Sequence, residues 1–222
     1  MNNTTNKIFF IGMNRTGTLS YYNFLIKNNI KSIHHIKDKK NKKDYGYWYE
    51  TSLDYFKDHR GYVTSFEHYL DNEIYLDLNF LDINFPRSKF ILNTRNLDEW
   101  LLSRLNHNKP SYYKSNKKSL DETDLLRWCK YRNNWYNIIF NYFKNKELLI
   151  INISDINKTE NLKDFLNIKG NITIEHYHNT AIENSKYSSI NPKNKKLLNK
   201  FLKKYIIEED WKSDGIIRFV SL

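Results

Sequence analysis

Residues Lys7 to Leu25 read KIFFIGMNRTGTLSYYNFL. A short apolar run, Ile8 to Ile11, leads into Gly12-Met13-Asn14-Arg15-Thr16-Gly17-Thr18, and an amphipathic segment carrying Tyr21, Tyr22, Phe24 and Leu25 follows. The pattern predicts a buried strand, a tight loop and a helix. In that order the loop's N–H groups and the orphan N–H groups of the helix's first turn converge on one point, which makes an anion site, usually for phosphate. Gly12 and Gly17 can take positive φ, and Gly17 lets an anion approach the backbone closely. The bland alternative is an ordinary strand-to-helix turn with glycines for geometry.

Four residues separate Gly12 from Gly17, as in the nucleotide-binding pattern GxxxxGK[ST], yet Thr18 stands where that pattern has lysine. The cation comes earlier, at Arg15. A cation inside the loop followed by Thr-Gly-Thr resembles the 5′-phosphosulfate loop of the sulfotransferases, roughly P-[KR]-[ST]-G-T-[TS], which here reads Asn14-Arg15-Thr16-Gly17-Thr18-Leu19.

Bulk properties set outer bounds. A chain of 222 residues is read as one domain spanning 1–222. With no run of 18 apolar residues and no cleavable leader pattern, a soluble intracellular protein is expected, without a membrane span. The lone Cys129 cannot form an internal disulfide and reads as packing. A net charge of +11 suits a polyanionic ligand. Lysine-rich stretches such as Lys37 to Lys43, in a chain crowded with Asn, Lys, Ile and Tyr, read as solvated loops rather than a specific nucleic-acid surface.

Further along, Lys31 to His35 reads as a short strand or extended link, and Tyr62 to Phe66 as a short strand. Glu67 and His68 come just past the latter's carboxyl end, where open parallel sheets bind ligands, so a catalytic base is sought there. Apolar positions 74, 78, 81 and 85 have helical spacing. Lys89 to Arg95 is a second strand ending in a cation, and Asn96 to Trp100 opens a helix with Asp98 and Glu99 in its first turn. Ser103 falls eight residues after Arg95. Asp121 to Phe143, Glu160 to Leu166 and Lys193 to Tyr205 read as helices, and Glu147 to Ile153 as a third strand. His176 and His178 have no third metal ligand in the pattern, so no metal site is assigned.

Strand, Arg95, helix, Ser103 resembles the sulfotransferase 3′-phosphate site, in which a guanidinium meets phosphate bidentately and a hydroxyl adds an oriented donor. Taken singly, Arg95 also reads as a surface ion pair with Glu99 and Ser103 as a helix-surface hydroxyl. The resemblance to the P-loop sulfotransferase family covers roughly residues 7 to 210. It implies a three-layer α/β/α fold with a central parallel sheet, like that of P-loop nucleoside triphosphate hydrolases. It also implies 3′-phosphoadenosine-5′-phosphosulfate as sulfuryl donor, with 3′,5′-adenosine bisphosphate as product, and a small-molecule, carbohydrate or peptide acceptor. By the same resemblance Asn14, Arg15, Thr16, Gly17, Thr18, Leu19, Arg95 and Ser103 bind the donor, Arg15 acts electrostatically, and Glu67 is the base with His68 as runner-up. One cation plus a helix N-terminus suffices in this scheme, so no metal is required. A P-loop kinase, or an inactive nucleotide-binding relative, is the alternative. Acceptor identity and oligomeric state have no signature in the sequence.

Overall fold

The computed structural model describes residues 6–34, 36–37, 44–45, 59–63, 78–107, 120–175, 191–209 and 217–219. Two compact units alternate along the chain: the first takes Met1–Thr94 and Asn145–Tyr177, the second Arg95–Lys144 and His178–Leu222.

The first unit is built on strands β1 (Ile8–Phe10), β2 (Ser32–Ile33), β5 (Gly61–Val63), β6 (Lys89–Thr94) and β7 (Leu149–Asn152). They form one sheet in the order β2-β5-β1-β6-β7, and every pairing in it is parallel. Helices α1 (Thr18–Lys27), α2 (Leu78–Asn84) and α5 (Lys158–Leu166) belong to the same unit, as does the short antiparallel pair of β3 (Ile36–Lys37) and β4 (Asp44–Tyr45). Parallel strands require crossover connections, and helices covering the sheet account for its apolar strands. This is the expected three-layer α/β/α, P-loop-like class.

The period of two along β1 divides the core. Ile8 and Phe10 face one way and join Val63, Ile91 and Ile151 in a cluster with Tyr21, Phe24 and Leu25 of α1 and Leu162 and Leu166 of α5. Phe9 faces the other way. Its ring centroid lies 5.5 Å from Tyr62, 5.3 Å from Phe90 and 5.8 Å from Phe85. The strand that carries the loop is therefore clamped by aromatic packing on one face and by α1 and α5 on the other.

The second unit holds α3 (Leu97–His107), α4 (Glu122–Tyr142), α6 (Pro192–Tyr205) and the antiparallel pair β8 (Ile206–Glu209) and β9 (Ile217–Phe219). Asp121 opens α4 with a full capping box: its carboxylate accepts from Thr123 and Asp124 N–H, and its own N–H donates to the Asp124 carboxylate. Two guanidiniums are buried here against aromatic faces, Arg104 over Trp128 at 4.6 Å and Arg132 over Tyr136 at 4.7 Å. Cys129 is buried, in keeping with a packing role.

Among the described residues, strand and helix positions follow the sequence pattern closely, with ends that differ by one or two residues in either direction. Of the apolar positions 74, 78, 81 and 85 with helical spacing, those from Leu78 onward are described, and α2 covers Leu78 and Leu81. Among the described residues no helix is long and apolar enough to cross a membrane, and no group of three or more His, Cys, Asp or Glu is placed to hold a metal ion.

Tyr21 gives a test of the core. Its ring is stacked on Phe10 at 5.1 Å, and its buried hydroxyl has no hydrogen-bond partner among the described residues. Burial, and secondarily the charge of Asp155, pushes the phenol well above its ordinary range, so it stays neutral. Tyr21→Phe should leave the unfolding free energy unchanged or raise it by about 1 kcal/mol, because a buried unpartnered hydroxyl costs desolvation. Denaturant unfolding measures this, and a loss above about 1 kcal/mol would mean that the hydroxyl is bonded.

Candidate functional site

The loop between β1 and α1 leaves the carboxyl end of the sheet's central strand. Chain connections depart there to both sides, since β5 flanks β1 on one edge and β6 on the other, and open α/β sheets bind ligands at such a point.

Its first requirement is steric. A Cβ on Gly12 would lie 1.9 Å from the Asn93 backbone oxygen and 2.6 Å from its side-chain oxygen, so no residue but glycine fits. Gly12 does not have positive φ; only Gly17 (φ 86°) among the loop glycines does. The freedom of Gly12 to take positive φ is not used; close approach, not handedness, requires glycine there. Gly17 answers to both demands, because a Cβ on it would also meet Ile153 Cγ1 at 2.6 Å. Arg15 also sits in the left-handed region (φ 65°). A non-glycine residue held there carries strain of about 1–3 kcal/mol, which persists where the surrounding structure enforces it.

The enforcing contact is Asn93 on β6, a fully buried residue. Its Oδ1 accepts from Gly12 N–H at 2.9 Å, and its Nδ2 donates to Thr16 Oγ1 at 2.6 Å. The Thr16 hydroxyl in turn donates to Met13 O at 2.5 Å. One amide therefore ties both ends of the loop to the sheet. The consequence for Thr16 is specific: its only proton goes to a loop carbonyl, so toward an anion it offers its backbone N–H and not its hydroxyl.

Helix α1 starts with no side-chain cap and no acidic residue in its first turn. That leaves its positive end without a competing carboxylate. An uncapped start is not diagnostic alone, since α5 also lacks one; here it follows two left-handed residues that bend the loop toward the helix. Thr18, the first helical residue, is 9% exposed, and a 3.1 Å hydrogen bond joins its Oγ1 to His34 Nε2. Asn14 is buried in the loop, and Leu19 is exposed on the first turn.

Arg95 follows β6 directly, and Ser103 lies on α3; both belong to the second unit and are half-buried. Arg95 Nε donates to Glu99 Oε2 at 3.1 Å, so the ion pair weighed from the sequence is present. Glu67 and His68, like His176 and His178, lie outside the described residues. Sequence reasoning missed Asn93 and His34. A polar residue inside an apolar parallel strand has to be hydrogen-bonded, which was the signal for Asn93. For His34 it was the strand-end rule that singled out Glu67, applied one strand earlier.

An all-parallel sheet whose central strand runs through a glycine-bearing loop into a helix is consistent with the three-layer α/β/α, P-loop-like class of proteins. Within that class, the family model described as "Sulfotransferase domain" matches residues 7–167, well over half of the chain, and the protein belongs to this family. The match runs from β1 through α5, so α6, β8 and β9 lie beyond it. A comparison with curated protein sequences gives no match.

Two substitutions test the clamp. Gly12→Ala should cost more than about 4 kcal/mol or prevent folding. Asn93→Leu, which leaves the Gly12 N–H and the Thr16 hydroxyl short of a partner, should cost about 2–6 kcal/mol. Chemical denaturation reads both; an Asn93→Leu protein as stable as the parent would show that the amide does not hold the loop.

Proposed function

We propose that this protein transfers a sulfuryl group from 3′-phosphoadenosine-5′-phosphosulfate to a hydroxyl or amine of a small-molecule, carbohydrate or peptide acceptor. The observation that carries the reading is the placement of cation and hydroxyl in the loop of a sulfotransferase-family chain: Arg15 inside it, and Thr18 in the place of a nucleotide-hydrolase lysine.

The loop suits such a donor. Its glycines keep the backbone bare, left-handed residues are the kind that build backbone N–H concavities for anions, and α1 begins without a carboxylate in its first turn. Asn14, Thr16, Gly17, Thr18 and Leu19 would hold the 5′-phosphate through backbone N–H groups, with the Thr18 hydroxyl added. Arg95 and Ser103 are assigned to the 3′-phosphate, where Arg95 would engage it alongside its bond to Glu99. When bound, the donor supplies the sulfuryl group and a phosphate leaving group. Arg15 keeps its proton at neutral pH, so its part is to offset the charge that builds on the leaving oxygen, not to protonate it. Glu67 is assigned as the base that takes the acceptor's proton as its oxygen or nitrogen attacks, with His68 as the alternative. The remaining contribution is positioning, as in phosphoryl transfer.

Calorimetric titration with 3′,5′-adenosine bisphosphate, ATP and GTP tests the donor. Binding of the bisphosphate in clear preference to both triphosphates is expected; preference for ATP or GTP would favour a kinase and overturn the reading. The base is tested separately. Glu67→Gln should lower turnover at least about 100-fold while leaving bisphosphate affinity intact, and retained turnover would remove Glu67 from the mechanism.

A further inference from the structure

The loop has two threonine hydroxyls, and the structure treats them differently. Thr16 gives its proton to the Met13 carbonyl. Thr18 makes one hydrogen bond among the described residues, to His34 Nε2 at 3.1 Å. His34 leaves the carboxyl end of β2, and its ring lies against Tyr22, one turn along α1 from Thr18, at 5.6 Å between centroids. The imidazole is thus seated on the helix at two points, a packing contact and a polar one.

A hydroxyl has one proton and two acceptor lone pairs. If Thr18 donates to His34, its proton points at the imidazole and none is left for a ligand. If His34 Nε2–H donates to Thr18, the hydroxyl keeps its proton for another acceptor. We propose that His34 is a positioning residue of the loop site: its Nε2–H occupies a lone pair of Thr18 Oγ1 and so makes the Thr18 hydroxyl a donor to a bound phosphate. The inference rests on the donor-binding reading above and adds a residue to it. Both the neutral Nε2–H tautomer and the imidazolium can make this bond, and a bound anion at the start of α1 selects them over the other tautomer. Leu and Gln separate the polar role from packing. Both fill space against Tyr22, but only the Gln amide places a permanent N–H donor near the position of Nε2.

The test measures 3′,5′-adenosine bisphosphate affinity by calorimetry for the parent, His34→Leu, His34→Gln, Thr18→Val and the Thr18→Val/His34→Leu double variant, with thermal midpoints to establish folding. His34→Leu should weaken binding about tenfold, the scale of one hydrogen bond to a charged group. His34→Gln should return affinity to within about threefold of the parent. In the Thr18→Val background, His34→Leu should add nothing, because the hydroxyl it serves is gone. Equal losses for Leu and Gln, no loss for Leu, or additive losses in the double variant would overturn the proposal while leaving the donor assignment standing. Failure of the parent protein to bind the bisphosphate would instead overturn the donor assignment, and this inference with it.

Discussion

The contact between Gly12 and Asn93 is the constraint on which the loop depends. Backbone and side-chain oxygens of one buried asparagine approach Gly12 so closely that a single added carbon would lie 1.9 Å from the nearer one. The strand ladder is regular up to this point, with Ile11 N–H still donating to Ile91 O at 2.8 Å. At Gly12 the Asn93 side chain takes over, accepting the next N–H and reaching across to Thr16. The left-handed turns at Arg15 and Gly17 lie around that second anchor, where an otherwise unfavourable backbone is held by bonds on each side. Because Asn93 is fully buried, its two bonds are made in a low-dielectric environment that strengthens them and makes their loss expensive.

This bracing partitions the loop's polar groups. Those spent on the fold point inward: the Gly12 N–H, the Thr16 hydroxyl and the Asn93 amide. Those assigned to the donor under the proposed function are different groups: the backbone donors toward the uncapped start of α1 and the side chains of Arg15 and Thr18. A loop that holds its shape before ligand arrives spends less binding energy on ordering it. On the proposed reading, Arg15, a left-handed residue within the loop, supplies the cation that the GxxxxGK[ST] pattern carries after its second glycine.

Much of this was legible in the sequence, and the exceptions share a physical cause. Strands β1, β6 and β7 and helices α1, α4, α5 and α6 show themselves through local periodicity, which needs only neighbours within a few residues. The expectation of an anion site was also local, resting on Gly17, Arg15 and the amphipathic run behind them. What escaped were pairings across long sequence separations. Asn93 lies 81 residues from Gly12, and within KFILNT it looked like an interruption of an apolar strand. His34 meets Thr18 only because α1 folds back along the sheet, and nothing in the sequence around it marks that contact. Gly12 was recognised for its freedom to take positive φ, a local property, and not for close approach by a neighbouring strand, which is not local.

The contrast between the two threonines extends the point to chemistry. Thr-Gly-Thr reads symmetrically, and the resemblance assigns both threonines to donor binding. Their surroundings break the symmetry. A carbonyl three residues back and an amide from β6 consume Thr16's donor and one of its lone pairs, whereas Thr18 faces a ring that can either give or take a proton. Fixed partners make Thr16 part of the scaffold, and the partner of Thr18 can act as donor or acceptor according to its tautomer. A hydroxyl's role in such a loop is therefore set less by its place in the motif than by whether its neighbour has already claimed its proton.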